Sequence, residues 1–321
     1  MSADNKFQFL LEKIRRNKGV DFSLYREGTL RRRIDSRLRT TGCADYLEYV
    51  SYLNRNPEEY DRLIEAVTIN VTEFFRNPET FHAIQQKVLP EIIKDKQVIP
   101  QSSVAQTFSV IPDLIGNLEK SMLDSRLRGN DSIEICNNTQ MAGGPHKQEH
   151  SRKTIRVWCA GTSYGEETYS IAILLLQVLQ ERITDFDVKI SGTDIDPDCI
   201  AKAKNGLYEP SHLKEVNKNI LNKYFDREGE NYRVKDELKQ LTEFKLHNLT
   251  SDKQLKNIDL ILCRNVVIYF TKPLQAYVYN LFANCLKPGG FLVLGKVESL
   301  GGYAQGFFEA MDNKERIYRN I

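Results

Sequence analysis

Four short stretches of the chain combine turn residues with polar side chains in patterns suited to holding a small ligand. In Ala160-Gly161-Thr162-Ser163-Tyr164-Gly165-Glu166-Glu167, Gly161 and Gly165 allow close backbone approach, and the two glutamates suit a cationic group. The stretch lacks the full GxGxxG that cradles a dinucleotide pyrophosphate, and a plain tight turn accounts for it equally well. In Thr193-Asp194-Ile195-Asp196, an acid at a strand end is placed to hydrogen-bond the two hydroxyls of an adenosine ribose. Both aspartates could instead cap a following helix; Asp196, directly before Pro197, suits that role and Asp194 does not. In Cys263-Arg264-Asn265-Val266-Val267-Ile268-Tyr269-Phe270, Arg264 and Asn265 break an apolar run and Tyr269 follows on the loop, a core tyrosine being the plain alternative. Asn248-Leu249 sets a polar residue ahead of that run and serves equally as a turn.

These stretches act together only if a frame gathers them. After residue 153 the pattern alternates between short β-branched or aromatic runs (155–160, 188–193, 258–263, 291–294) and apolar helices (167–179, a helix opened by Pro197, and 274–286 ended by Lys287-Pro288-Gly289-Gly290). Such alternation implies a parallel, doubly wound sheet with right-handed crossovers and a ligand at the carboxyl ends of its strands. Residues 213–246, with Tyr232-Arg233-Val234 and Phe244-Lys245-Leu246 around a turn at Gly229, are expected to form a small antiparallel β-subdomain. Up to about residue 88 the pattern is helical, with loops at Gly28, Gly42 and Pro57. There Leu30, Ile34 and Leu38 repeat at four-residue spacing between Arg31, Arg32, Arg33, Arg37 and Arg39, and Leu63 and Val67 repeat likewise. The fold expected is therefore α/β: an all-helical N-terminal domain over 1–88, then a Rossmann-like domain over 89–321. Residues 97–152, rich in Ser, Asn, Gln, Gly and Pro, read as a flexible insertion. Their segment SVIPDLIGNLEKSMLDSRLRGNDS resembles translated palindromic repeats inserted in bacterial reading frames.

Composition narrows the classes. The 321 residues, 41% hydrophobic, can bury a full core, and 45 Lys and Arg against 43 Asp and Glu leave a net +2, too balanced for whole-chain nucleic-acid binding. The longest purely apolar run, 171–176, falls far short of the roughly 20 residues that span a bilayer, so no membrane insertion is expected. The start MSADNKFQFLLEK has no long apolar signal region, which points to the cytoplasm. Cys43, Cys136, Cys159, Cys199, Cys263 and Cys285 show no CxxC spacing and are expected as reduced, mostly buried thiols. His146 and His150 are four apart without a third ligand nearby, so no metal is expected.

Together the segments RVWCAGTSYGEETYSIAI, SGTDIDPDCIAKAKNGLY, IDLILCRNVVIYF and LKPGGFLVLG resemble the CheR-type chemotaxis protein methyltransferases, and NVTEFFRNPETF is similar to that family's segment joining its two domains. The resemblance covers nearly everything outside 97–152. It implies a Rossmann-like methyltransferase domain that takes S-adenosyl-L-methionine, releases S-adenosyl-L-homocysteine and methylates glutamates on the cytoplasmic helices of chemoreceptors. Carried over by motif, Asn70, Thr72 and Arg76 reach the cofactor from the linker. Glu167, with Glu166, holds the methionine amino group, and Asp194 binds the ribose. Gly161 lies against the cofactor, while Asn248-Leu249 and Arg264-Asn265 frame its adenine and methionine ends. Arg76 and Tyr269 match the family's proposed catalytic pair. The basic helix carrying Arg31, Arg32, Arg33, Arg37 and Arg39 then meets the acidic receptor helices, with the chain acting as a monomer. Three departures stand out: Thr162 where Cys or a small residue is usual, Thr168 where Pro is common, and GKVESL in place of a GHSE-like segment.

The implied chemistry suits a site without an evident base. A glutamate carboxylate, with a pKa of about 4.3, is already ionised at neutral pH, so the enzyme mainly aligns the reacting atoms, which can supply roughly 7–11 kcal/mol of a barrier. A same-fold methyltransferase with another substrate and a non-catalytic S-adenosylmethionine-binding module are the rival classes. A nicotinamide oxidoreductase is disfavoured by the missing glycine spacing.

Overall fold

The structure, a computed structural model, describes residues 2–68, 70, 72–96, 152–304 and 306–321. The expected insertion at 97–152, with Cys136, His146 and His150, lies outside the described residues apart from Arg152. The residues up to Asp95 and from Arg152 onward form one compact unit.

The chain opens with four amphipathic helices: α1 (Ala3–Lys18), α2 (Glu27–Thr41), α3 (Tyr46–Arg55) and α4 (Glu59–Thr68). Ser2 and Asp45 cap α1 and α3 through their side-chain oxygens, and Gly19 and Gly42, both left-handed, end α1 and α2. Gly28, expected in a loop, falls in the first turn of α2 instead. Phe7, Leu10, Ile14, Leu30, Ile34, Leu53, Leu63 and Val67 close a core of their own. Next come α5 (Pro78–Ala83) and α6 (Leu89–Asp95), continuous through a π-helical turn at Ile84–Val88. Phe81, Ile84, Val88, Leu89 and Ile92 pack with the sheet, so the helical core ends near Val67, and the boundary expected at 88 falls inside a continuous helix.

The remaining elements are β1 (Lys153–Ala160), α7 (Glu166–Leu179), β2 (Phe186–Asp194), α8 (Pro197–Asn205), β3 (Leu207–Tyr208), α9 (Lys218–Tyr224), β4 (Phe225–Glu228), β5 (Asn231–Val234), α10 (Asp236–Lys239), β6 (Thr242–Leu246), β7 (Ile258–Cys263), α11 (Lys272–Cys285), β8 (Leu286–Leu294), β9 (Phe308–Asp312) and β10 (Ile317–Asn320). They build a seven-stranded sheet ordered β6-β2-β1-β7-β8-β10-β9, parallel from β6 to β8 and antiparallel at the β10-β9 edge. Every residue of β7 is buried, as a central parallel strand requires. In β1 the pleat sends Ile155, Val157 and Cys159 into one core and Trp158 and Ala160 into the other, so both faces are covered. The small antiparallel sheet is β3-β5-β4, and the expectation for 213–246 needs correction at both ends. Its third strand is Leu207–Tyr208, whereas Phe244-Lys245-Leu246 belongs to the main sheet, parallel to β2 with Leu246 opposite Asp194. Among the described residues, no helix is long and apolar enough to cross a membrane. The described cysteines are free thiols, all buried except the half-buried Cys43.

The chain runs from β1 to β2 on one side and later returns to β7 on the other. A crevice therefore opens at the carboxyl ends of β1 and β7, where a doubly wound sheet binds its ligand.

Candidate active site

A cleft of about 1200 Å³, partly open to solvent, occupies that crevice. It gathers Asn70, Thr72 and Arg76 from the linker and Gly161, Glu167 and Asp194 from the first two strand ends. Asn248, Leu249, Arg264, Asn265 and Tyr269 complete it.

The acids set its electrostatics. Asp194, 7% exposed, accepts the Ser163 N–H on Oδ2 (2.8 Å) and the Asp196 N–H on Oδ1 (3.1 Å). Burial outweighs these bonds and pushes its carboxyl up to about 6. Asp196 does cap α8, accepting from Asp198 N and Cys199 N, and its other oxygen accepts the Asn70 amide (2.8 Å). Asn70 thereby ties the linker to the end of β2. Glu167 accepts from Arg264 Nη1 at 3.1 Å; burial pushes its carboxyl up, and the Arg264 and Arg76 cations pull it down. Arg264 Nη2 donates to the Arg76 carbonyl (2.7 Å) and to Asn77 Oδ1 (2.8 Å), while its buried Nε has no hydrogen-bond partner among the described residues.

The linker is held in a costly conformation. Phe75 and Asn77, on either side of Arg76, both have positive φ (54° and 61°), rare for an aromatic residue. The Phe74 N–H donates to His212 O (2.9 Å) and the Phe75 N–H to Ser170 Oγ (3.0 Å), and with the Arg264 bonds these contacts fix the turn that carries Arg76.

Tyr269 ends a short 3₁₀ turn, Val267–Tyr269, after β7. The helical domain grips the backbone there: Arg26 N–H donates to Tyr269 O (2.8 Å) and Thr271 N–H to Leu24 O (3.0 Å), with the Tyr25 ring edge-on to Phe270. Burial pushes the Tyr269 hydroxyl up, against the Arg33 and Arg76 cations, so at neutral pH it keeps its proton.

Not every expected residue reaches the cleft. Glu166 turns the other way, fully buried, with Oε1 2.6 Å from His212 Nδ1 and Oε2 unpaired among the described residues. One residue's step along a helix rotates the side chain by about 100°, which puts Glu166 and Glu167 on different faces. Gly165 also serves packing, since a Cβ there would meet Ala203 at 2.9 Å and the Phe244 ring at 3.1 Å. Gly161 does line the cleft, but a Cβ on it would strike Val266 at 2.4 Å, so it seats the loop after β7 as well. Asn248 is both things expected of it, a cleft residue and a turn residue whose Oδ1 accepts the Thr250 N–H.

The basic helix is partly spent inside the molecule. Arg31 pairs with Glu27 and Asp4, Arg33 donates to Ala66 O (2.8 Å), and Arg37 grips the buried Glu59. Only Arg32 and Arg39 of the five are exposed. Cleft residues outside the stretches singled out in the sequence include Tyr25, Thr68 and His247. A polar residue directly after a strand was the available signal for His247, whereas nothing local marks Tyr25. Thr162 and Thr168, two of the departures noted above, hydrogen-bond each other through their Oγ1 atoms at 2.6 Å.

The residues present fit S-adenosylmethionine by their chemistry. Asp194 suits a ribose diol, Glu167 an ammonium group, and the Arg264 and Arg76 cations a carboxylate. Comparison with known proteins agrees. A family model described as the CheR methyltransferase SAM binding domain matches residues 125–317, and the CheR methyltransferase all-alpha domain matches residues 5–68. The chemotaxis protein methyltransferase of Listeria innocua is 27% identical over 297 residues, 92% of this chain and 91% of its own. That of Borreliella burgdorferi is 27% identical over 298 residues (91% and 87%). That of Salmonella typhimurium is 29% identical over 318 residues (95% and 87%).

Proposed function

The chain belongs to the CheR methyltransferase family, and from that premise we propose that it methylates glutamate side chains on the cytoplasmic helices of chemoreceptors. The products are glutamate methyl esters and S-adenosylhomocysteine, and the outcome is adaptation in chemotaxis signalling. The observation that carries this reading is the pairing, in one cleft, of the cofactor-suited acids Asp194 and Glu167 with a protonated phenol and a cation, Tyr269 and Arg76.

S-adenosylmethionine bound there would supply an electrophilic methyl group for a carboxylate oxygen, the electron pair of the broken C–S bond remaining on sulfur. Asp194 would hold the ribose hydroxyls, and Glu167, itself held by Arg264, would hold the ammonium group. Asn70 and Thr72 close the linker side, while Asn248-Leu249 after β6 and Asn265 after β7 line the two flanks. The substrate glutamate arrives ionised, since its pKa is about 4.3, and needs no base. Tyr269 donates to one substrate oxygen and Arg76 draws the carboxylate in, leaving the second oxygen directed at the methyl group. The work asked of this pair is alignment. Arg32 and Arg39, exposed on α2, face the acidic receptor helix, whereas Arg31, Arg33 and Arg37 chiefly shape that surface from within.

The test is incubation with methyl-labelled S-adenosylmethionine and a cytoplasmic chemoreceptor fragment, scored as volatile methanol released by mild base. Methanol above a no-enzyme control is expected. Its absence, with calorimetric binding of S-adenosylmethionine intact, would overturn the substrate assignment and leave the cofactor site standing.

A further inference from the structure

One more buried acid lies at the carboxyl edge of the sheet, and none of the roles above uses it. Glu298, 3% exposed, ends the turn Gly295-Lys296-Val297-Glu298 that follows β8. Its Oε2 accepts the backbone N–H groups of Asn265 (2.9 Å) and Gly295 (2.7 Å), and its Oε1 accepts that of Ile268 (3.2 Å). Two of the three donors therefore belong to the loop between β7 and Tyr269, where Asn265 itself has a positive φ of 61°. The turn is shaped around the carboxylate: its own backbone closes from Glu298 N to Gly295 O (2.9 Å), and a Cβ at Gly295 would lie 2.8 Å from Glu298 Oε2 and 2.9 Å from Asn265 N. Lys296 pairs with Glu315, and Val297 is 75% exposed. Gly295 and Glu298 are thus the inward members of the turn, and they are also the two positions that GKVE shares with the GHSE-like segment.

We propose that Glu298 is a positioning residue for methyl transfer, its carboxylate clamping residues 265–268 and so setting Tyr269 against the substrate carboxylate. The inference rests on the methyl-transfer reading above. Arg26 and Leu24 hold the chain at Tyr269 and Thr271, and Glu298 holds it just before, so the tyrosine is fixed from both sides. The chemistry of the clamp demands a carboxylate. Both oxygens accept from N–H groups, and a glutamine amide would turn an NH₂ group onto at least one of those donors.

The experiment compares the unaltered chain with Glu298→Gln and, as a control at the exposed tip, Val297→Ser. In Glu298→Gln, hydrogen exchange without ligands should speed up in the peptide spanning 265–270, and kcat should fall by about 10²-fold, exceeding any rise in KM for S-adenosylmethionine. Val297→Ser should match the unaltered chain, and Glu298→Asp, which keeps the charge at shorter reach, should recover part of kcat. Unchanged exchange and unchanged kcat in a folded Glu298→Gln would overturn the inference. If that variant does not fold, the amides of Asn265, Ile268 and Gly295 in the unaltered chain decide: slow exchange supports the clamp and fast exchange refutes it. Should the unaltered chain transfer no methyl group, the functional reading falls, while the exchange comparison still decides the clamp.

Discussion

Buried acids occur both in the helical domain and in the cleft, and their surroundings differ. In the helical domain Glu59, 1% exposed, receives Arg37 on both oxygens (2.7 Å each) and the Tyr49 hydroxyl at 2.8 Å. In the cleft the Asp194 carboxylate accepts from the backbone N–H groups of Ser163 and Asp196, and burial drives it up to about 6. Glu167 meets Arg264 through one oxygen, and its carboxyl too is pushed up. A buried acid closed on all sides by cations and hydroxyls is structural, and removing its partner leaves an uncompensated charge. An acid desolvated in a cleft, as Asp194 is on its backbone donors, is held in a state that a ligand relieves. Glu59 therefore belongs to the scaffold, and Asp194 and Glu167 stand where a ligand can reach them.

Glu59→Ala should break the scaffold side most, lowering unfolding stability by about 3 kcal/mol in urea titration, because Arg37 is left without its partner. The folded fraction should still bind S-adenosylmethionine normally; unchanged stability would undo the contrast. Next in size is Tyr269→Phe, where kcat for receptor methylation should drop by about 10²-fold with cofactor affinity kept, since only alignment of the substrate is lost. Full turnover would remove Tyr269 from its role.

Smaller effects belong to the exposed charges. Reversing Arg32 and Arg39 together should weaken receptor methylation by about 1 kcal/mol or less per charge and make it less sensitive to salt, leaving cofactor binding intact. Arg33, tied to Ala66, does not belong in that test. The least effect is expected at His212. Its hydrogen bond to Glu166 raises its pKa above 6.5 against the opposing pull of burial, and burial pushes the Glu166 carboxyl up. Both groups therefore bind protons more tightly in the folded chain. The stability His212 brings is complete below pH 6.5 and fades as pH rises through its higher folded value. His212→Gln should flatten that decline in urea midpoints, and identical slopes would show the pair to be inert.

What could be read from the chain alone follows from how local the cause is. The buried strand Ile258–Cys263, the Asp196 cap before Pro197 and the strand-end placement of Asp194 depend on neighbours in sequence, and all three are found as expected. The direction of Glu166 depends on where helix α7 docks, and the pairing of Phe244-Lys245-Leu246 with β2 depends on a partner about fifty residues away. Neither leaves a local mark. The arginines of α2 read as one basic face because pattern reports only which residues avoid the apolar stripe, and Glu59, Ala66 and Asp4 claim three of them. Tyr25 is the clearest gap. It enters the cleft because the loop before α2 bridges to Phe270, a contact between the first and last thirds of the chain.

The contrast between the two kinds of buried acid is tested most directly by titrating S-adenosylmethionine into the unaltered chain and Asp194→Asn from about pH 5 to 8. Binding to the ionised carboxylate should make affinity fall as pH drops through about 6 in the unaltered chain. The variant should bind more weakly by about tenfold or more, with a flatter profile. Equal affinity and the same pH dependence in both proteins would contradict the assignment of Asp194 and, with it, the reading of the cleft acids as ligand-holding groups.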